Sequence, residues 1–362
     1  MAETSVAEPV GPVDVRARDG SSIGRLWRSF IVRRVFKSVV TAYLVTSATF
    51  FLSRFMPGNP VDAFVASKLQ QGYSRQDAIA AATGLLTYNP NDSMINQYFH
   101  YIWRLLHGDM GQSIVSPGVP VTSYISKYLP WTLFSVGVGT ILAFIIGVLL
   151  GVLIAYRRGG FLDHFITNVS SFLHSVPNYV WAILIVVVGG VELNLFNVND
   201  VQGTYSPGVH PGFNFEFFSD ALYHAALPIT VYTITLVGGW ILLMKSSTTQ
   251  VLDEDFVTVA KARGLRDGRI RTMYVGRNAV LPLFTQFAIA IGFVVGGSTL
   301  VEQIFKYQGV GFYFYTAITS RDYPVMQGFI LILTLSVILA NLIADLSLSR
   351  IDPRIRVEGS TR

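Results

Sequence analysis

Cysteine is absent from all 362 residues, which excludes disulfides, thiolate metal sites and cysteine nucleophiles and leaves the redox compartment open. Charge is scarce as well. Only 14% of the residues are Asp, Glu, Lys or Arg, against 51% hydrophobic, a balance too apolar for an ordinary soluble domain. No Gly-x-x-x-x-Gly-Lys-Ser/Thr loop occurs, so nothing in the chain cradles ATP phosphates in the usual way. His-Glu-x-x-His and Gly-x-Ser-x-Gly are missing too, and with them the usual signatures of a metalloprotease or a serine hydrolase. The six histidines, at 100, 107, 164, 174, 210 and 224, are scattered without metal-ligand spacing. These absences predict a chain with no catalytic residue, no metal and no cofactor of its own. Basic residues flank apolar runs and form no aromatic-interleaved patch, so nucleic acid is not an expected partner.

What is present is a series of apolar spans, predicting an all-α polytopic membrane protein embedded in the lipid bilayer. Residues 1–30 have mixed charge and no apolar period, and lack the apolar core and cleavage site of a secretory signal; they read as a cytoplasmic tail. Six spans follow at about 31–53, 131–156, 165–191, 225–244, 279–301 and 324–344, forming one domain over 31–349, and a second tail covers 350–362. Met56-Pro-Gly-Asn-Pro60 ends the first span and opens an outer loop over 56–130, long enough to hold a folded element. His174-Ser-Val-Pro177 interrupts the third span and predicts a bend. Gly147 and Gly151 would allow close helix approach.

Charge placement predicts the orientation. With both termini inside, inner segments carry 20 Lys and Arg and outer ones 7, most of the latter in the long loop where the rule is weak. Five polar residues fall within about two turns of the midplane: His174, Asn178, Tyr232, Thr235 and Gln286. They either line a wet path or bond between helices and hold the bundle together. Lys37 and Asp345 lie near inner helix ends, where snorkelling or pairing accounts for them, so a proton-coupled carrier is the weaker transport reading.

Between the fourth and fifth spans, residues 245–278 form a charged loop. Asp253 or Asp255 can cap a short helix, Phe256, Val259 and Ala260 share a face at i, i+3 and i+4, and Gly264 is placed to end it in a left-handed conformation. A second short helix fits 267–277. Small Ala260 and Ala262 suit insertion into a groove on a soluble partner. A plain basic loop obeying the charge bias would look the same in composition.

Ala260-x-x-x-Gly264, followed by Asn278-Ala-Val-Leu-Pro282, resembles the coupling motif of binding-protein-dependent ABC importer permeases. Pro57-Gly-Asn-Pro60, Gln97-Tyr98, Gly108-Asp-Met-Gly-Gln-Ser113, Pro120-Val121 and Leu129-Pro130 resemble the outer loop of the B-type subunit in the oligopeptide, dipeptide and nickel permeases. Glu302-Gln-Ile-Phe305, Gly309-Val-Gly311 and Asp352-Pro-Arg-Ile-Arg356 fit as well, although Tyr307-Gln308 replaces a usual Trp-Pro. The resemblance implies the type I ABC importer transmembrane fold, with six helices and a cytoplasmic coupling helix, in a bacterial or archaeal plasma membrane. It also implies a second homologous permease, two ATPase subunits carrying ATP and Mg, and an extracytoplasmic solute-binding protein. The implied ATPase contact comprises Asp255, Phe256, Val259, Ala260, Ala262, Arg263, Gly264 and Leu265. Peptide is the implied cargo, with oligosaccharide or a nickel chelate as alternatives; a carrier or receptor without an ATPase is the reading of another class.

Overall fold

The structure is a computed structural model that describes residues 30–55, 64–65, 68–85, 93–297 and 299–351. The Met56–Pro60 break and the motifs at 57–60 and 352–356 lie outside the described residues. Among those described there is no strand, only an isolated antiparallel bridge between Gln112 and Pro120.

Thirteen helical segments are named here: α1 Phe30–Phe55, α2 Arg75–Leu85, α3 Met94–Leu106, α4 Val121–Tyr156, α5 Phe161–Ser175, α6 Asn178–Leu184, α7 Phe215–Leu252 and α8 Asp255–Ala262. Then come α9 Asp267–Ala279, α10 Leu281–Val294, α11 Thr299–Ile304, α12 Val310–Thr319 and α13 Tyr323–Ile351. Stretches within α1, α4, α7 and α13 are long and apolar enough to cross a membrane, and the bent pairs 161–192 and 267–294 complete a set of six.

Two helices overrun the apolar windows from which the spans are read. Helix α4 begins at Val121, ten residues before Trp131, with Pro130 inside it. Helix α7 has 38 residues, roughly 57 Å at 1.5 Å per residue, nearly twice the hydrocarbon thickness. Hydropathy registers the lipid-buried part of a helix and stops there, whereas the helical backbone runs on through the more polar turns beyond, in α4 even past Pro130.

The third span bends far more than a proline kink. Val176 is extended (ψ 124°) and Pro177 (φ −58°, ψ 146°) stands at the N-cap position of α6, so the chain turns by 98°. Proline disfavours the helical region for the residue before it, and here that restriction ends α5 outright. Helix α6 runs on as a wider π-type turn over Ile185–Glu192.

Helices α4 and α7 form the central pair. Gly139, Gly147 and Gly151 of α4 face Tyr232, Trp240 and Met244 of α7, and a Cβ on Gly139 would sit 2.7 Å from that of Tyr232. The small residues thus bring two helices of one chain together, and the expected close approach at Gly147 and Gly151 is an internal one. Helix α5 crosses α7 at Gly238 and Gly239, where the Ser170 carbonyl and the His174 ring take the space a side chain would fill. Lys245 of α7 pairs with the nearly buried Asp163 of α5 at 2.5 Å. Asp163 also accepts from the Gly159 N–H and the Thr167 hydroxyl.

Candidate functional site at the loop end of the bundle

Helix α8 starts with Glu254 at the N-cap position, making no side-chain cap bond, and with Asp255 in its first turn. There the carboxylate meets the positive end of the helix dipole. Asp253 caps nothing here: it ends α7 and lies 3.8 Å from Arg158, both exposed. The far end of α8 is a full Schellman closure. Gly264 has φ +70°, its N–H bonds to the Lys261 carbonyl at 2.9 Å, and the Leu265 N–H reaches the Ala260 carbonyl at 3.3 Å. Leu265 adds the apolar contact that accompanies this motif.

One face of α8 is buried within the chain. Val257 and Ala260 pack with Ile270 and Val275 of α9, together with Tyr156 at the end of α4 and Val251 and Leu252 at the end of α7. Ala260 therefore faces inward, and its small side chain serves close packing inside this chain. The other face is open: Phe256 is 39% and Val259 54% exposed, joined by Met273 of α9 at 64%. Asp255, Ala262, Arg263 and Gly264 are exposed and Leu265 is half-buried. The i, i+3, i+4 face predicted from sequence is thus split between an inner and an outer side.

The Asn278–Pro282 run explains itself locally. Asn278 Nδ2 donates to the Tyr274 carbonyl at 2.6 Å and the Ser247 hydroxyl to the Ala279 carbonyl at 2.6 Å. These bonds satisfy carbonyls where wide turns over Ile270–Gly276 disturb the helical ladder. Pro282 enters the first turn of α10, where its missing N–H is no loss. Arg271 lies over the Tyr156 ring at 4.3 Å. The loop thus packs as a cap on the ends of α4, α7 and α10.

The five midplane residues differ in their settings. Tyr232 is buried in the α4–α7 core, and the Thr235 hydroxyl bonds back to the Val231 carbonyl at 2.8 Å. His174, at the end of α5, is exposed and lies on Gly239, one turn after Thr235 on α7; Asn178 is half-buried on α6 and Gln286 exposed on α10.

Sequence reading missed a buried carboxylate at the opposite end. Glu302 of α11 is fully buried; Thr132 Oγ1 donates to its Oε1 at 2.8 Å and the Phe312 N–H to its Oε2 at 2.9 Å. Thr132 in turn accepts from the Val310 N–H at 2.8 Å. Gly297, Gly309 and Gly311 surround the carboxylate so closely that a Cβ on Gly309 would meet both oxygens. Burial pushes the Glu302 carboxyl up to about 7, against the opposing pull of hydrogen bonds from Phe312, Thr132 and Gly311. A charge directly after an uncharged span, followed by Gly-x-Gly, was the available signal. Nearby, Asp322 accepts from the Ser113 hydroxyl and the Ile114 N–H, tying the hairpin after α3 to the start of α13. Tyr98 of α3 meets Ser47 of α1 at 2.7 Å.

One cluster has serine, histidine and aspartate together. Ser206 Oγ lies 2.7 Å from Asp220 and 3.1 Å from His224 Nε2. The aspartate holds the serine, and His224 Nδ1 has no hydrogen-bond partner, so the relay of a hydrolytic triad is absent. The cluster anchors the loop before α7. Among the described residues no three His, Asp or Glu side chains could hold a metal.

Residues 147–357 match the family described as binding-protein-dependent transport system inner membrane component. Relatives extend the likeness. The oligopeptide transport system permease AppB of Bacillus subtilis is 32% identical over 327 residues, covering 90% of this chain and 99% of its own. The dipeptide permease DppB of Escherichia coli K12 is 32% identical over 343 residues, 90% of this chain and 98% of its own. The di/tripeptide permease of Pseudomonas aeruginosa is 30% identical over 338 residues, 91% and 98%. The family match includes the α8 loop and Glu302 with its surrounding glycines, and the relatives, covering 90% of this chain, add Thr132 and the segment around α3. The chain therefore belongs to the binding-protein-dependent inner membrane permeases, a transmembrane permease subunit with the type I ABC importer fold.

Proposed function

We propose that this chain forms half of the translocation path of an ATP-driven peptide importer. It would act with a second homologous permease, two ATP-binding subunits carrying ATP and Mg, and an extracytoplasmic binding protein that delivers the peptide. Both termini and the α8 loop lie in the cytoplasm of a bacterium or archaeon on this reading, in line with the 20 to 7 division of basic residues. Peptide as cargo is supported by the names of the relatives.

The observation that carries the coupling role is the exposure of Phe256 and Val259 on a helix whose other face is locked to α4, α7 and α9. Closure of the ATPases would push on that exposed face, and the buried face would pass the displacement to the spans. Asp255, Ala262, Arg263, Gly264 and Leu265 complete the contact, with Ala260 as its inner support. His174, Asn178, Thr235 and Gln286 border the path, and Tyr232 stands behind them.

Phe256→Ser with Val259→Ser tests this. The complex should still insert and pair with its second permease, but lose the ATPases during purification and lose substrate-stimulated ATP hydrolysis. Unchanged stoichiometry and stimulation would sink the assignment. Mass spectrometry of the gently purified native complex should recover the four partners, and the ligand retained by the binding protein names the cargo.

A further inference from the structure

A second site lies at the same end of the bundle, away from α8. Between α1 and α13 a cavity of about 510 Å³ is lined by Arg33, Arg34, Lys37, Ser38, Thr41, Ile338 and Asn341. Arg33 and Lys37 are one helical turn apart, and Arg34, Ser38 and Thr41 follow each other on successive turns. Arg33 and Arg34 make other contacts too; what marks the cavity is the three cations gathered around it. Orientation alone asks for cations before a span. Lys37 lies inside the helix, flanked by exposed Phe36 and Val39, and the hydroxyls of Ser38 and Thr41 with the Asn341 amide add neutral donors. Both helices then continue as exposed apolar faces, with Val40 and Leu44 on α1 and Leu335 and Leu339 on α13.

A phosphate group ringed by Arg and Lys, with apolar helix faces beginning beside it, has the chemistry of an anionic phospholipid. We propose that this cavity binds the headgroup of such a lipid, phosphatidylglycerol or a relative, from the cytoplasmic leaflet, its acyl chains lying along α1 and α13. The leaflet, though not the pocket, rests on the orientation proposed above. A bound lipid would join α1, which packs chiefly on α13, more firmly to the bundle.

The test is lipid retention by the whole purified transporter. The complex is incubated in detergent with phosphatidylglycerol, with phosphatidylcholine, or with phosphatidylglycerol plus millimolar inorganic phosphate, and examined by native mass spectrometry. Phosphatidylglycerol should be retained over phosphatidylcholine and should resist phosphate. Arg33→Gln with Arg34→Gln and Lys37→Gln should lower retention by about tenfold or more. Because those cations also set topology, Ser38→Phe is the second variant: it fills the cavity, leaves every charge in place, and should lower retention similarly. Equal retention of both lipids, or a Ser38→Phe complex that holds phosphatidylglycerol like the wild type, overturns the site. Displacement by inorganic phosphate would assign the pocket to a free anion and overturn the lipid reading. Retention reads the pocket whichever way the chain is inserted, so its failure is separable from an error in orientation or cargo.

Discussion

At the residue scale, Gly264 and Glu302 differ in how readily their roles are read. Gly264 is legible because its φ of +70° is what matters within the chain: nothing of this chain lies within 4 Å of an added Cβ, so Gly264→Ala tests backbone conformation without an internal clash. We expect it to destabilise the end of α8 by about 1–2 kcal/mol and to lower substrate-stimulated ATPase activity with assembly kept. Gly264→Asn, which enters the left-handed region more easily, should retain more; equal stimulation in all three proteins would show that the closure does not matter for coupling. Glu302 belongs to a recognisable motif, but its buried setting includes Thr132, 170 residues away. Glu302→Gln sets an amide N–H₂ among hydrogen-bond donors and should cost about 1–3 kcal/mol, seen as a lower melting temperature of the complex. Its pH dependence has a definite sign. The carboxyl rises from an ordinary 4.5 to about 7 on folding, so the folded state holds the proton more tightly. Its stabilising contribution is full below pH 4.5 and is lost as pH rises through 7. Thermal stability should therefore fall across that window in the wild type, and that part of the slope should vanish in Glu302→Gln.

At the element scale, helix contact came from pattern and helix direction did not. The glycine spacing at 147 and 151 announced a close approach, but a sequence of one chain does not say which helix fills it; α7 does, through Trp240 and Met244. Gly147→Leu should overpack this seam by about 1–3 kcal/mol or more, lowering yield and melting temperature, whereas Leu149→Ala on the exposed face of α4 should leave both nearly unchanged. The Asp163–Lys245 pair joins α5 to α7 across 82 positions, too far for sequence spacing to suggest. Lys245→Met leaves the nearly buried Asp163 without its cation and should destabilise by about 3 kcal/mol. Combining it with Asp163→Leu should recover part of the loss; a double variant no better than the single one would show that the pair is not what joins these helices. Pro177 signalled a bend, but its size is set where α5 lands on Gly238 and Gly239.

At the scale of the whole molecule, orientation is open to a direct measurement because the chain contains no cysteine. Single cysteines at exposed Ser219 and Thr272 should label oppositely with a membrane-impermeant maleimide. Ser219→Cys should react in intact cells, and Thr272→Cys only after the inner membrane is opened. The reverse result would invert the six spans and place α8 away from any ATPase.

Read alone, the sequence suffices for the membrane class and for approximate spans, and it predicts an orientation from charge. These depend on composition along the chain, and lipid reads composition directly. It also placed α8 and its glycine end, because a Schellman closure is built from neighbours. Tertiary structure alone decided which face of α8 is free, since Val257 and Ala260 are buried by α4, α7 and α9 rather than by anything within the helix. The same holds for the Glu302 knot, the α4–α7 seam and the basic cavity between α1 and α13. Each brings together residues distant in the chain, and their burial and charge environment come into being only when the helices pack.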